Sequence, residues 1–149
     1  MTRSEIREIA MHVSFALGMS PRPVEELLDA LLDKDYYKTL AEEDELYADY
    51  PSKKQIDYLY QVAHGLGEHL IELDFYIEKY AQNWKVGRIS RVAVAIMRVS
   101  MYEILYMPDI PGGVAINEAV EMAKKYEEKD TVSFMNGILG SFIRGELSE

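Results

Sequence analysis

Apolar residues recur every three to four positions along most of this chain, the pattern of amphipathic helices. Ile6, Ile9, Ala10, Val13 and Leu17 share one face and predict a helix over 3–18, stopped by Gly18. Ser20, Pro21 and Pro23 open a second helix, with Val24, Leu27, Leu28, Leu31 and Leu32 facing inward. Over 33–50 the period fails. Asp33, Asp35, the run Glu42-Glu43-Asp44-Glu45 and Asp49 stand among tyrosines, which predicts a solvated connection with room for one short helix. Ser52 and Gln55 form a capping box for a third helix. Its seam of Ile56, Leu59, Ala63, Leu66, Leu70, Leu73 and Ile77 suits a long central helix packed along another at a shallow angle. Gly65 and Gly67 each weaken that helix by about 1 kcal/mol relative to alanine, so a neighbouring helix is expected to approach closely there.

Asn83, Trp84 and Gly87 mark a corner, after which Ile89, Val92, Ile96, Val99, Met101 and Ile104 predict a fourth helix ending before Pro108. A turn over 108–113 follows. Ile116, Ala119, Val120, Ala123 and Tyr126 define the next helix, and Val132, Met135, Ile138, Leu139, Phe142 and Ile143 the last, with the charged joint 127–131 between them. Asn136-Gly137 has the chemistry of a turn, but the apolar spacing runs through it. An uninterrupted helix is expected, with Gly137 and Gly140 allowing tight packing. No β-type alternation occurs, so the fold class is all-α, with six or seven helices in one domain over 1–149.

Composition narrows the function. The 149 residues contain no cysteine, which excludes disulfides and thiolate chemistry. No signal peptide and no apolar run of about 18 residues is present, so a cytoplasmic protein without a membrane partner is expected. A net charge of −10 argues against a generally basic nucleic-acid binder, but not against a local basic patch. Two such patches exist: Arg3 and Arg7, four apart on the first helix, and the cluster Lys85, Arg88, Arg91 and Arg98, which has no acids between its members. His12, His64 and His69 are too scattered to ligate a metal together, and the run 42–45 lacks the spaced ligands and glycine of a calcium loop. No nucleophile paired with a base, phosphate loop or dinucleotide fingerprint is visible, so neither catalysis nor a cofactor is expected.

Three motifs then point to a family. They are Ile96-Met97-Arg98-Val99-Ser100-Met101-Tyr102-Glu103, then Val114-Ala115-Ile116-Asn117-Glu118-Ala119 after Pro111, and Phe134-Met135-Asn136-Gly137-Ile138-Leu139. In order and spacing this resembles the NusB family of transcription antitermination factors, strongly over 84–143 and more weakly over 3–18 through Arg7-Glu8, Ala10 and Phe15. The resemblance implies two small helical bundles sharing a long central helix. It also implies binding of boxA-type single-stranded RNA together with the ribosomal protein NusE, within the RNA polymerase antitermination complex on ribosomal RNA operons.

Carried onto this sequence, the resemblance makes Arg3, Arg7 and Phe15 RNA-binding candidates, with Arg88 and Arg91 as open candidates beside them. Asp130 aligns with an aspartate at the family's partner and RNA surface; its alternative role, shared with Thr131, is to cap the last helix. Arg7 could equally be a surface arginine paired with Glu5 or Glu8, and Phe15 a core residue. Arg98 is expected to form a structural ion pair near Glu103 and Glu118, and Asn117 and Glu118 to be structural. The chain departs from the family at its acid-bearing start, at Ala93-Val94, at Ser133 and at Gly140. Those departures favour, as the alternative function, a protein-binding module or homodimer with weak or lost RNA binding. A third reading, the RNA-binding module resembling the amino-terminal part of certain ribosomal RNA cytosine methyltransferases, ranks last because no catalytic domain follows.

Overall fold

The structure, a computed structural model, describes residues 1–82 and 84–147. Among these residues there is no strand, and eight α-helices are present: α1 Arg3–Met19, α2 Val24–Leu32, α3 Lys34–Leu40, α4 Lys53–Glu68, α5 Leu70–Tyr80, α6 Arg91–Tyr106, α7 Gly112–Tyr126 and α8 Lys129–Glu146. Two single 3-10 turns, η1 Glu45–Tyr47 and η2 Val86–Arg88, complete the order. The all-α expectation holds, with slightly more helices than the sequence predicts. Asn83, expected to mark a corner with Trp84 and Gly87, lies outside the described residues.

The organising element is α6. Ala93 to Met97 and Val99 to Ile104 are buried without a break, so this helix is apolar on nearly every side. It packs against α1 and α4 in one bundle and against α5, α7 and α8 in the other, and is shared by both. Small residues and hydroxyls set the approach distances. The Ser14 hydroxyl donates to the Ala95 carbonyl at 3.1 Å, and the Ser100 hydroxyl to the Ala115 carbonyl at 3.2 Å. Both hydroxyls are buried, where an unpaired one would cost about 1–3 kcal/mol.

The seam over 52–77 is two helices. Ser52 and Gln55 form the expected capping box, but the helix breaks at His69, whose ψ of 16° leaves the helical range. The ladder is kept across the break by His69 N–H to the Gly65 carbonyl and Leu73 N–H to the His69 carbonyl, both 2.9 Å. The His69 ring stacks on Tyr106, with centroids 4.1 Å apart. The two helices thus turn relative to each other while Leu59, Leu66, Leu73 and Ile77 stay buried. The 33–50 segment is also more structured than expected. It supplies α3 and η1, and its Tyr37, Leu46 and Tyr47 are buried.

The glycines divide differently from expectation. A Cβ on Gly65 would lie 2.0 Å from the Tyr102 ring, so α4 and α6 meet there as the sequence implies. Gly67 is not tight, since a Cβ would meet only Val24 at 3.5 Å. Helix α8 runs uninterrupted through Asn136-Gly137. Gly137 nonetheless faces open space, and Gly140 would meet only the flexible end of Arg144, so neither serves tight helix packing.

His12 ties α1 to η1 and α7. The Tyr126 hydroxyl donates to Glu8, so its oxygen is left to accept from His12 Nε2–H, at 3.0 Å. His12 Nδ1 is then the acceptor for the Tyr47 hydroxyl at 2.6 Å. Burial pushes the His12 pKa down, against the opposing pull of Glu8 and Asp44.

Two outcomes follow. Gly65→Ala should lose about 1–3 kcal/mol in urea unfolding through overpacking, whereas Gly137→Ala should gain up to about 1 kcal/mol from helix propensity alone. Because the folded His12 resists a proton that the unfolded chain accepts near pH 6.5, stability should fall as pH drops through about 6.5. His12→Gln should remove that part of the slope, measured by urea titrations between pH 7 and 5.5.

Candidate nucleic-acid interface

The two basic patches have opposite fates. Arg7 is buried, with 8% of its side chain exposed. Its Nε reaches both carboxylate oxygens of Glu103, at 3.1 and 3.0 Å, and its Nη1 reaches Glu118 at 3.0 Å. Glu103 also accepts from the Tyr58 hydroxyl at 2.6 Å, and Glu118 from Ser4 at 2.7 Å. Neither Glu5 nor Glu8 is the partner of Arg7. Glu5 completes a capping box with Thr2, and Glu8 accepts from Lys125 at 2.8 Å. Arg7 is therefore withdrawn as a phosphate ligand: its fork joins α1 to α6 and α7. Arg3 remains exposed at the start of α1 with no side-chain partner, about 18 Å along the helix from Phe15.

Arg98 forms the expected structural pair, but with a different partner. Its Nε and Nη2 hold the two oxygens of Asp74 at 2.8 and 2.9 Å. Glu103 and Glu118 are taken by Arg7. This leaves Arg88 and Arg91, both exposed, on either side of Ile89 at the turn into α6.

Ile89 is buried and separates two clefts. The first, of about 270 Å3, places Phe15 at the end of α1 opposite Arg91 and Arg98. Arg91 Nη1 lies 3.0 Å from the Met19 sulfur and has no acidic partner. Phe15 is half-buried: it packs on the core, as its alternative role expects, and also lines the cleft. The second cleft, of about 360 Å3, brings Arg88, Trp84, Phe134 and Asp130 together. Trp84 is 54% exposed and meets Phe134 edge to face, with centroids 6.3 Å apart.

Asp130 and Thr131 are not the caps of α8. The helix begins earlier, at Lys129 with Glu128 as its N-cap, so Asp130 lies in the first turn, where its charge suits the helix dipole. Its side chain has no partner and faces the second cleft. Ser90 fixes the two rims. It caps α6 by accepting from Ala93 N–H at 3.3 Å, and its hydroxyl donates to Glu127 at the end of α7. Phe15, Arg88, Arg91 and Asp130 thus converge on one corner, while Arg3 and Arg7 do not join them. Trp84 and Phe134 are candidate site residues that sequence reasoning used only as a corner marker and a motif letter. The available signal was a sole tryptophan next to the basic cluster.

A sequence model described as the NusB family matches residues 4–144. The chain belongs to the NusB family. It is 38% identical over 146 residues to a transcription antitermination protein NusB of Thermoanaerobacter sp. (strain X514), covering 98% of this chain and 93% of that one. To the protein of the same name from Clostridium botulinum (strain Kyoto / Type A2) it is 35% identical over 143 residues, covering 96% and 100%. Among solved structures, NusB of T. maritima superposes with a TM-score of 0.79 at 27% identity, covering 97% of this chain and 92% of that one. A chain from a complex of the antitermination factors NusB and NusE with double-stranded RNA gives 0.72 at 20% identity, covering 95% and 96%, a likeness of fold. The NusB-like, two-bundle fold expected from the motifs is the fold observed.

Removing the buried fork is the direct check on its structural role. Burial pushes the Glu103 pKa up, opposed by Tyr58 and Arg7. Arg7→Leu should cost about 3–5 kcal/mol at pH 7 by stranding that carboxylate. The loss should shrink toward acid, since a carboxyl with a raised folded pKa is tolerated when protonated and costs stability as pH rises. Urea unfolding at pH 7 and pH 4.5 measures both.

Proposed function

We propose that this protein is a non-catalytic, RNA-binding transcription antitermination adaptor of the cytoplasm. With ribosomal protein NusE it holds boxA-type single-stranded RNA from ribosomal RNA operons for the RNA polymerase antitermination complex. The observation that carries the reading is the corner around Ile89. There two guanidiniums without acidic partners, Arg88 and Arg91, stand beside the aromatic rings of Trp84 and Phe15 on an otherwise acidic molecule. Guanidinium forks match phosphate oxygens. Aromatic side chains take bases with little regard to sequence, at about 1–3 kcal/mol each. Asp130 on the same rim is the partner-binding candidate and repels phosphate, which keeps the backbone on the Arg88–Arg91 side. Arg3, exposed but remote, adds at most a distant phosphate contact.

NusE and RNA occur with NusB in the related complex, and this chain offers a separate surface for a protein. On α5, Ile71 is 88% and Phe75 60% exposed, one turn apart on the same face. The same face supports the second reading, a homodimer or protein-binding module with weak RNA binding, which sedimentation at micromolar concentration with and without NusE distinguishes.

Trp84 is the sole tryptophan, so its fluorescence reports the corner directly. RNA should bind weakly alone and more tightly with NusE. A slope of about −0.7 in log affinity against log salt is expected per phosphate, for two or three phosphates. Arg88→Glu with Arg91→Glu should flatten that slope and remove most of the affinity. Trp84→Leu, followed by filter binding, should weaken it by about fivefold or more. No RNA binding with or without NusE defeats the reading.

A further inference from the structure

The acidic segment 33–50 contains a further cleft, remote in sequence from the two at the corner. A cavity of about 290 Å3 lies between α3 and the chain around η1, walled by Tyr37, Tyr47 and Tyr50 and lined on α3 by Lys34 and Lys38. The charges of the segment are sorted. Its two lysines line the cavity, and none of Asp33, Asp35, Glu42, Glu43, Asp44, Glu45 or Asp49 does.

The tyrosine edges are already committed. The Tyr37 hydroxyl donates to the Asp49 carbonyl at 2.9 Å, the Tyr50 hydroxyl to the Leu32 carbonyl at 2.6 Å, and Tyr47 to His12. Tyr37 meets Tyr47 and Tyr50 edge to face, with centroids 5.4 and 5.1 Å apart. The rings are therefore held rigidly, and what they still offer is ring surface, chiefly on Tyr50, which is 37% exposed. Lys34 Nζ lies over one face of the Tyr50 ring, 5.5 Å from its centroid, a cation–π contact that a bound base would exchange for stacking while the ammonium turns to an anion. Lys38, one turn further along α3, has no hydrogen-bond or ionic partner despite the surrounding carboxylates.

We propose that this cleft binds a nucleotide, with the base against the exposed ring of Tyr50 and the phosphate between Lys34 and Lys38. A cation would meet two ammonium groups. A bare phosphate would leave the ring surface unused, and a neutral aromatic would leave the lysines unused. Only an aromatic ring that carries an anion uses the whole lining, and about 290 Å3 is enough for one base. The ligand is either a free mononucleotide or one nucleotide of a bound RNA. The proposal does not depend on the antitermination reading.

The test uses the full chain, 15N-labelled, titrated by NMR with uridine monophosphate, adenosine monophosphate, uridine and inorganic phosphate. Expected are saturable shifts across 34–50 with either nucleotide, and affinities at least about fivefold weaker for uridine and for phosphate. Tyr50→Leu should weaken the nucleotide by about fivefold or more, and Lys34→Ala with Lys38→Ala should abolish saturation while circular dichroism stays unchanged. Arg88→Glu with Arg91→Glu should leave it intact, which separates failure here from failure at the corner. If Lys34→Ala with Lys38→Ala also weakens a short RNA, the source is RNA; if the RNA is unaffected, it is a free nucleotide. Absence of saturable nucleotide shifts, their survival in the double lysine variant, or phosphate binding as tightly as the nucleotides overturns the proposal.

Discussion

The Arg7 guanidinium is the constraint on which the rest of the molecule depends. Helix α6 is apolar around most of its circumference, and apolar contact is non-directional, so burial alone would let its neighbours slide or rotate. Arg7 Nε shared between the two oxygens of Glu103, with Nη1 on Glu118, removes that freedom. Planar guanidinium–carboxylate geometry fixes orientation as well as distance. Tyr58 and Ser4 fill further acceptor positions, so α1, α4, α6 and α7 are keyed to one another at a single buried point. No buried side-chain nitrogen or oxygen among the described residues lacks a partner, which is the condition for such a network to be tolerated in a core.

Once α1 is keyed at its start, its far end is placed. Phe15 then lies against the turn into α6, beside Arg91, and the Ser90–Glu127 contact draws the joint between α7 and α8 to the other side of the same turn. One helix therefore divides its labour. Its first two turns hold the fold together, and its last turn supplies one wall of the candidate interface. The arginines divide by the same logic. Arg7 and Arg98 are consumed by carboxylates of the core and its margin, whereas Arg88 and Arg91 meet none.

The acidic surface and the small basic corner suit each other. A net charge of −10 discourages non-specific attachment to nucleic acid, and the corner is a local exception in which Arg88 and Arg91 stand without acidic partners beside aromatic rings. The α5 face adds an exposed apolar pair, Ile71 and Phe75, to an otherwise acidic surface.

Periodicity alone determined the helical class, the continuity of α8 through Asn136-Gly137, and the approach of two helices at Gly65, because each follows from local spacing or from the absence of a side chain. The family motifs determined the fold, because their letters are mostly core letters. What the sequence left open are choices between partners distant in the chain. Arg7 could meet Glu5, Glu8 or an RNA phosphate until the fold brought Glu103, 96 residues away, within 3.0 Å. Arg98 could meet Glu103 until the fold gave Glu103 to Arg7 and placed Asp74 within 2.8 Å of Arg98. The split falls at His69, whose ring stacks on Tyr106, a residue of another helix. Trp84 became a candidate site residue only when Phe134 and Arg88 arrived beside it. Local pattern decides which residues turn inward; which charges find one another, and which are left for a ligand, is decided by tertiary contact, since Coulomb and hydrogen-bond energies act through space and not along the chain.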